Sequence, residues 1–367
     1  MLHRVIFALF LFFVLLIVKS PMFRGSRIDA SYGAMVMAIG IFLIGVAPQF
    51  DIPFVIPAYL VDFSLFVLWL FLILSFMRAA FKGVFRKRYL THPVQSFAVG
   101  TWVAATSILC LVLYHQYSFF KNSIFIVALL NTGLWVFYLF LCIKSYKVIF
   151  SAKYYERVNG IIFLSTVSTQ SLIIVFNTLF DHPILHHISQ AAVFVGLTLY
   201  FINFALMMIR LRSFQRHQLL DGWKNTNCIV HGAMSITGIA SITSGTIPTN
   251  IIFLMWIWAA ALFVIIEGIE LWRLAARLNE YTLNEAIGRY HVSQWARNFT
   301  FGTFYVFTLN IDLSGYHSVL LYIQHIVIES GVPVLISLLL IETFLFFKDA
   351  LPWQESRQHV IQKRRAS

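Results

Sequence analysis

Long apolar stretches alternate with short polar ones along most of the chain. A helix needs roughly 17 to 25 apolar residues to cross a bilayer, and ten stretches are long enough. They cover residues 31–48, 53–77, 93–115, 122–144, 158–180, 186–211, 225–245, 249–272, 294–311 and 317–347. Lipid offers no hydrogen-bond partners, so the backbone N–H and C=O groups of a span must bond to one another, as they do in a helix. The pattern therefore predicts an all-α polytopic membrane protein.

The connections between these stretches alternate in length. Those after the first, third, fifth, seventh and ninth stretches are a few residues long, whereas the others are longer and carry most of the charge. The alternation predicts five helical hairpins. It also divides the chain into an apolar N-terminal segment with a basic linker (1–27), a transmembrane domain (28–349) and a basic tail (350–367).

The N-terminal segment is ambiguous. Its uninterrupted apolar part, residues 5–18, is shorter than a typical membrane span and lacks a small-residue cleavage site. We expect it to be retained, either as a short additional helix or as a segment lying along the membrane surface.

Basic residues predict the orientation. Of 27 lysines and arginines, all except Arg4 and Lys121 lie in the longer connections, at their edges or in the flanks of the ten-helix unit. Positive charge is retained on the cytoplasmic side during insertion, so both ends of this unit are expected to be cytoplasmic in the cell membrane, plasma or bacterial inner. The net charge of +12 then reflects topology and attraction to membrane lipids, and no motif indicates nucleic acid.

Composition agrees with this class. Hydrophobic residues make up 59% of the chain, charged residues 11%, and the mean hydropathy is +0.80. The isolated Cys110, Cys142 and Cys228 each lie within an apolar stretch, which predicts core residues and neither disulfides nor a metal site. No cofactor motif is present.

The two arms of each hairpin differ in polarity. The first arms are rich in glycine and hydroxyl residues, whereas the second arms are mostly Leu, Ile, Phe and Trp. Five first arms in a ring would line a central pore, although close helix packing is the common use of small residues in membranes. The candidate lining residues are Ser96, Gly100, Thr101, Thr166, Thr169, Ser235, Thr237, Thr300, Gly302 and Thr303.

Three short motifs resemble the tellurite-resistance/dicarboxylate transporter family, the superfamily of the slow-type anion channels. They are "SYGAMVMAIGIFLIG" in the first helix, "THPVQSFAVGTW" before the third, and Phe299-Thr300-Phe301-Gly302 in the ninth. The resemblance covers residues 28–347. It implies a homotrimer with one pore per protomer, lined by five inner helices and closed by a phenylalanine of the ninth helix. One departure is that the inner stretches have no proline in their interiors.

The resemblance leaves the gate residue open. The Thr-Phe-Gly match selects Phe301, which we prefer because Gly302 beside it offers backbone freedom for a kinked helix. The Trp295-Ala296 pair selects Phe299 instead. Two residues correspond to about 200° of helix rotation, so both rings cannot face the pore.

Two ionisable residues are candidates for the pathway. Arg297 precedes the ninth helix's phenylalanines and could attract anions at the cytoplasmic mouth, or it could be a positive-inside residue that reaches the interface. His231 lies among hydroxyl residues, where it could titrate or pack as a neutral side chain. Glu267 and Glu270 are expected to pair with Arg273 or Arg277 in a structural role.

These features predict a gated anion channel or channel-like transporter for small inorganic or organic anions. A proton-coupled carrier that exports a dicarboxylate, sulfite or tellurite-type anion is the alternative. A membrane metalloenzyme is a third possibility, based on Asp181, His182, His186 and His187, but no HExxH motif accompanies them. We therefore expect a transport protein and not an enzyme.

Overall fold

All regular structure in the computed structural model is helical within the ranges it describes, residues 28–49, 55–152, 154–180, 182–212, 222–280 and 290–350. The helices are α1 Gly33–Ile41, α2 Val55–Phe81, α3 Gly100–Gln116, α4 Lys121–Ser151, α5 Leu164–Leu179, α6 Pro183–Arg212, α7 Ile229–Ser244, α8 Thr249–Glu280, α9 Gln294–Asn310 and α10 Ser318–Ala350. The predicted all-α polytopic membrane fold is confirmed. The N-terminal segment and most of the basic tail lie outside the described residues.

The odd-numbered helices form a closed inner ring. Each packs against two others, in the order α1, α3, α5, α7, α9 and back to α1. The spans that contain α3 and α5 have 89% of their residues buried, whereas those of the even-numbered helices have 11% to 33% buried. The even-numbered helices therefore surround the ring and present their Leu, Ile and Phe side chains outward.

Most inner helices begin with a tighter turn. The 3₁₀ turns Ala30–Tyr32, Gln95–Val99, Gly160–Phe163 and Asn225–Cys228 lead into α1, α3, α5 and α7. The carboxylate of Asp29 and the side-chain carbonyl of Asn159 accept backbone N–H bonds at two of these starts. We call the side of the bundle where the odd-numbered helices begin and the even-numbered helices end the basic side.

Eight of the described helical spans are long and apolar enough to cross a membrane by length and composition alone. The two helices outside this set are α7 and α9, with 16 and 17 residues in regular α-helix. They are also the inner helices that carry His231 and Arg297. Their polarity is accommodated because neighbouring helices surround them.

Tryptophans of the outer helices are hydrogen-bonded to threonines of the inner ring. The indole Nε1 of Trp69 donates to Thr106 over 2.9 Å, that of Trp135 to Thr169 over 3.0 Å, and that of Trp256 to Thr308 over 3.0 Å. In each case the outer helix of one hairpin binds the inner helix of the next hairpin. The recurring bond fixes neighbouring hairpins to each other in an environment without water.

One glycine permits an especially close approach between inner helices. A Cβ at Gly160 would lie 1.9 Å from the backbone carbonyl oxygen of Thr226. The turns that precede α5 and α7 thus touch backbone to backbone. Asn227 strengthens the contact, since its side-chain oxygen accepts the Gly160 N–H over 3.0 Å.

Candidate ion pathway

The starts of all five inner helices surround one small cavity on the basic side. Its volume is about 20 Å³, room for about one water molecule. The lining includes Ala34 of α1, Thr101 of α3, Leu164 of α5, Ile229 of α7 and Ala296 of α9. Since every inner helix contributes a first-turn residue, the cavity lies on the axis of the ring. We call it the axial cavity.

Phe299 lines this cavity from α9. The lining residues of the α9 segment are Val292, Ser293, Ala296 and Phe299, so Phe299 is the one deepest in the bundle. Its side chain is 1% exposed. A phenyl ring is thus part of the cavity wall, and it offers no hydrogen bond to water or to an ion.

Phe301 has a different environment. Its ring centroid lies 4.8 Å from that of Phe263 on the outer helix α8 and 6.2 Å from that of His231 on α7. It is not among the residues that line the axial cavity. Phe301 therefore packs at the α7–α8 interface, whereas Phe299 lines the axial cavity. Which of the two rings acts as the gate stays a prediction.

The predicted lining hydroxyls of α5 and the turn before α3 face outer helices. Ser96 shares a 2.8 Å hydrogen bond with Ser145 of α4, and Thr166 donates to the Gly196 carbonyl of α6 over 3.2 Å. Thr169 accepts the Trp135 bond described above. These side chains connect the inner ring to the outer helices, and they are not among the residues that line the axial cavity.

The predicted lining hydroxyls of α7 and α9 bind their own helix backbones. Ser235 donates to the His231 carbonyl, Thr237 to Ala233, Thr300 to Arg297 and Thr303 to Thr300, over 2.7 to 3.0 Å. Of the ten candidate lining residues, Thr101 alone lines the axial cavity, and its hydroxyl donates to the Ala30 carbonyl over 2.8 Å.

The two candidate glycines serve helix packing. A Cβ at Gly100 would lie 2.6 Å from the Tyr138 hydroxyl of α4, and one at Gly302 would lie 2.6 Å from Cγ2 of Ile41 on α1. Both positions therefore admit a neighbouring side chain.

Arg297 belongs to a group of ionisable residues that joins α7, α8 and α9. Its Nη2 lies 3.0 Å from Glu267 Oε2 and 3.4 Å from Glu270 Oε2. The Arg297 and Glu267 side chains are only 18% and 14% exposed. Two carboxylates thus face Arg297, which is not an isolated cation at a mouth.

Two further residues complete this group. Arg273 Nη1 lies 3.0 Å from Glu270 Oε2, as expected from their spacing, and the buried His231 places Nε2 at 3.7 Å from Glu267 Oε1. We call Arg297, Glu267, Glu270, Arg273 and His231 the charge cluster. With neutral His231, its two cations balance its two anions.

Trp223 ties the charge cluster to the connection that precedes α7. Its indole Nε1 donates to Glu270 Oε1 over 2.8 Å, and its own side chain is buried. The sequence indicated neither this bond nor the link between Arg297 and the two glutamates. The only available indication was the spacing of two acidic residues on one face of an apolar helix.

The histidines of the metalloenzyme alternative lie apart from the axial cavity. His182 and His187 are exposed, and Nδ1 of His186 is 2.9 Å from the Ser244 carbonyl oxygen. Asp181 lies outside the described residues. Within the described ranges, no three His, Cys, Asp or Glu side chains are grouped as a metal site would require. The three cysteines are buried and unbridged.

Sequence comparison identifies a family for this arrangement. The family model described as voltage-dependent anion channel matches residues 27–345, which covers all ten helices almost completely. No curated protein matches the chain.

Proposed function

The chain belongs to the voltage-dependent anion channel family, and from this membership we propose that it is a gated anion channel, or channel-like transporter, in which Phe299 closes a pathway through the inner ring. The observation that carries the proposal is the axial cavity, because residues from all five inner helices line it and Phe299 is one of them.

A phenyl ring is suited to this task. It excludes water and ions from a narrow passage because it has no polar group, and rotation about χ1 can move it aside. Phe299 is buried, so opening would require either this rotation or a displacement of α9. Small shifts of a packed helix are sufficient for such changes.

Anion preference has a source in the helix ends. The first turns of five helices converge on the axial cavity, and the N-terminal end of a helix dipole carries partial positive charge. The excess of basic residues on the same side adds a long-range attraction. Neither contribution requires a free cation at Arg297. Both therefore agree with the pairing of Arg297 to two carboxylates.

The charge cluster has a mechanical role in this proposal. Arg297 lies two residues before Phe299 on α9, and its partners Glu267 and Glu270 lie on α8. The ion pairs therefore hold the start of the gate helix against an outer helix. Breaking them would free α9 to move, and α9 carries the gate.

The proton-coupled carrier remains the second candidate. Such a carrier needs a titratable group that the transported anion can reach, and His231 was the candidate for it. His231 contacts Glu267, Phe263 and Phe301, and it is not among the residues that line the axial cavity. This placement favours the channel, with no proton taken up in each transport cycle.

We further propose a homotrimer in the cell membrane, with the basic side cytoplasmic. The family resemblance supports the trimer, and the distribution of basic residues supports the orientation. Outer helices α4, α6, α8 and α10 carry exposed large apolar side chains that suit contact with lipid or with other protomers.

Flux measurements in proteoliposomes test the function. Vesicles that contain the full chain are compared with empty vesicles for efflux of chloride, nitrate, sulfite and malate, with and without a pH gradient. A channel gives flux that follows the anion's own electrochemical gradient. Flux that requires a proton gradient would replace the channel by the carrier, and no flux of any anion would contradict both.

A further inference from the structure

A second and larger cavity lies outside the ring, between α2, α3 and α4. Its volume is about 330 Å³, at the lower end of the range for small-molecule sites. Leu72, Phe76 and Ala80 of α2 line it together with Phe85, Trp102 of α3 and Leu134 of α4. The cavity is separate from the axial cavity.

The walls of this outer cavity are hydrocarbon and aromatic. The polar atoms in its lining are already bonded: Trp69 donates to Thr106, and Trp102 Nε1 donates to the Ala30 carbonyl over 3.0 Å. A polar ligand would therefore find few groups to replace its bonds to water. A flexible hydrocarbon chain makes no hydrogen bonds to water, so it loses none when it enters the cavity.

Aromatic residues cluster at the end of the cavity that lies on the basic side. The ring centroids of Phe76 and Trp102 are 4.0 Å apart, and Tyr89 packs edge-on against Phe76 and Phe85. Trp and Tyr concentrate at the level of the lipid headgroups. This clustering supports a position at the level of the lipid headgroups.

Exposed basic side chains follow directly on the lining residues. Lys82 is two residues after Ala80, and Arg86 and Lys87 immediately follow Phe85. All three side chains are exposed on the basic side. An apolar cavity is thus combined with positive charge at the headgroup level, as an anionic phospholipid requires.

We propose that the outer cavity binds one acyl chain of an anionic phospholipid, with Lys82, Arg86 and Lys87 contacting its headgroup. The site also adjoins the ion pathway, because Trp102 in its wall and Thr101 in the axial cavity donate to the same carbonyl, that of Ala30. A bound lipid would brace the starts of α1 and α3. This inference does not depend on the proposed gate.

Native mass spectrometry of the full chain in detergent tests the lipid site. Delipidated protein is titrated with palmitoyl-oleoyl phosphatidylglycerol or with phosphatidylcholine that has the same chains. One basic residue near a membrane surface contributes roughly a fivefold preference for anionic lipid, so we expect phosphatidylglycerol to bind at least about tenfold more tightly. Equal binding of the two lipids would overturn the proposal.

Two pairs of variants locate the site. Ala80→Trp fills the cavity from its exposed edge and should abolish the preferred binding, whereas Ala261→Trp, at an exposed site on α8, should leave it unchanged. Arg86→Gln with Lys87→Gln should reduce the preference for phosphatidylglycerol about tenfold or more. Lys144→Gln with Lys147→Gln, at the basic end of α4, is the matched control.

Other occupants give different results. If a segment of the same chain fills the cavity, Ala80→Trp leaves lipid binding unchanged and lowers stability. If any hydrocarbon suffices, phosphatidylcholine binds as well as phosphatidylglycerol and the Gln variants change nothing. Either outcome contradicts the proposal.

Discussion

The guanidinium of Arg297 lies 3.0 Å from the carboxylate of Glu267, across the contact between the inner helix α9 and the outer helix α8. Both side chains are largely buried. A buried ion pair is weak evidence for net stability, but removal of one partner leaves an uncompensated charge. The pair therefore makes the position of α9 sensitive to substitutions on α8.

Arg297→Glu should destabilise the folded protein by about 3 to 5 kcal/mol, because it places a third carboxylate beside Glu267 and Glu270 in a largely buried site. The expected readout is a lower thermal unfolding temperature in detergent and poor expression. Glu267→Arg combined with Arg297→Glu should recover part of the loss, since the exchanged charges attract each other again. Lys144→Glu, at an exposed site on α4, should be nearly neutral.

Unchanged stability with altered selectivity would instead support Arg297 as a cation that attracts anions at the mouth of the pathway. In that case Arg297→Glu folds as well as the original protein, anion permeability falls and the reversal potential shifts towards cations. Stability and selectivity thus distinguish the two roles.

The tryptophan bonds between hairpins give a second prediction. Trp256→Phe removes the indole donor from Thr308 but retains an aromatic ring at a buried site. We expect a loss of about 1 kcal/mol in the free energy of unfolding, the usual net value of such a bond. Trp272→Phe is the control, because Trp272 is exposed near the end of α8 and should change stability little. Equal effects of the two substitutions would contradict the role of the bond.

Two glycines offer a sharper contrast. Gly160→Ala would force a Cβ to within 1.9 Å of the Thr226 carbonyl oxygen, so the backbones before α5 and α7 must separate. We expect a cost of about 3 kcal/mol or more, at the upper end of overpacking effects, visible as loss of folded protein in size-exclusion chromatography. Gly133→Ala on α4 meets no atom within 4 Å and should be neutral or slightly stabilising.

The general architecture was predictable from the sequence, since the length of an apolar run and the polarity of its arms are local properties. Details that depend on how helices rotate against each other were not. The Thr-Phe-Gly motif, which favours Phe301, carries no information on which side of α9 faces the axis. Similarly, a hydroxyl on an inner helix can bind its own backbone or an outer helix, as Ser235 and Ser96 do. The partner of Arg297 depends on the contact between α8 and α9, which no local pattern describes.

The orientation of the bundle can be tested by cysteine labelling. The native cysteines are buried, so they should not react with a membrane-impermeant maleimide. Lys87→Cys lies on the basic side and Gly315→Cys in the short connection before α10, and both sites are exposed. With the basic side cytoplasmic, Gly315→Cys labels in intact cells and Lys87→Cys only after permeabilisation. The opposite pattern would invert the topology.

The gate prediction compares the two phenylalanines of α9 directly. Phe299→Ala removes a ring from the wall of the axial cavity, so water can enter and basal anion conductance should rise strongly. Phe299→Leu should give a smaller increase, because a branched aliphatic side chain still excludes water but fills less of the passage. Phe301→Ala instead removes packing against Phe263 and His231, so it should lower stability by about 3 kcal/mol without a gain in current.

Proteoliposome currents measured together with thermal unfolding separate these effects. A cavity in the packing lowers the unfolding temperature, whereas an opened passage raises the current. A conductance gain confined to Phe301→Ala would return the gate to the register favoured by the motif. A gain in neither variant would mean that α9 does not supply the gate.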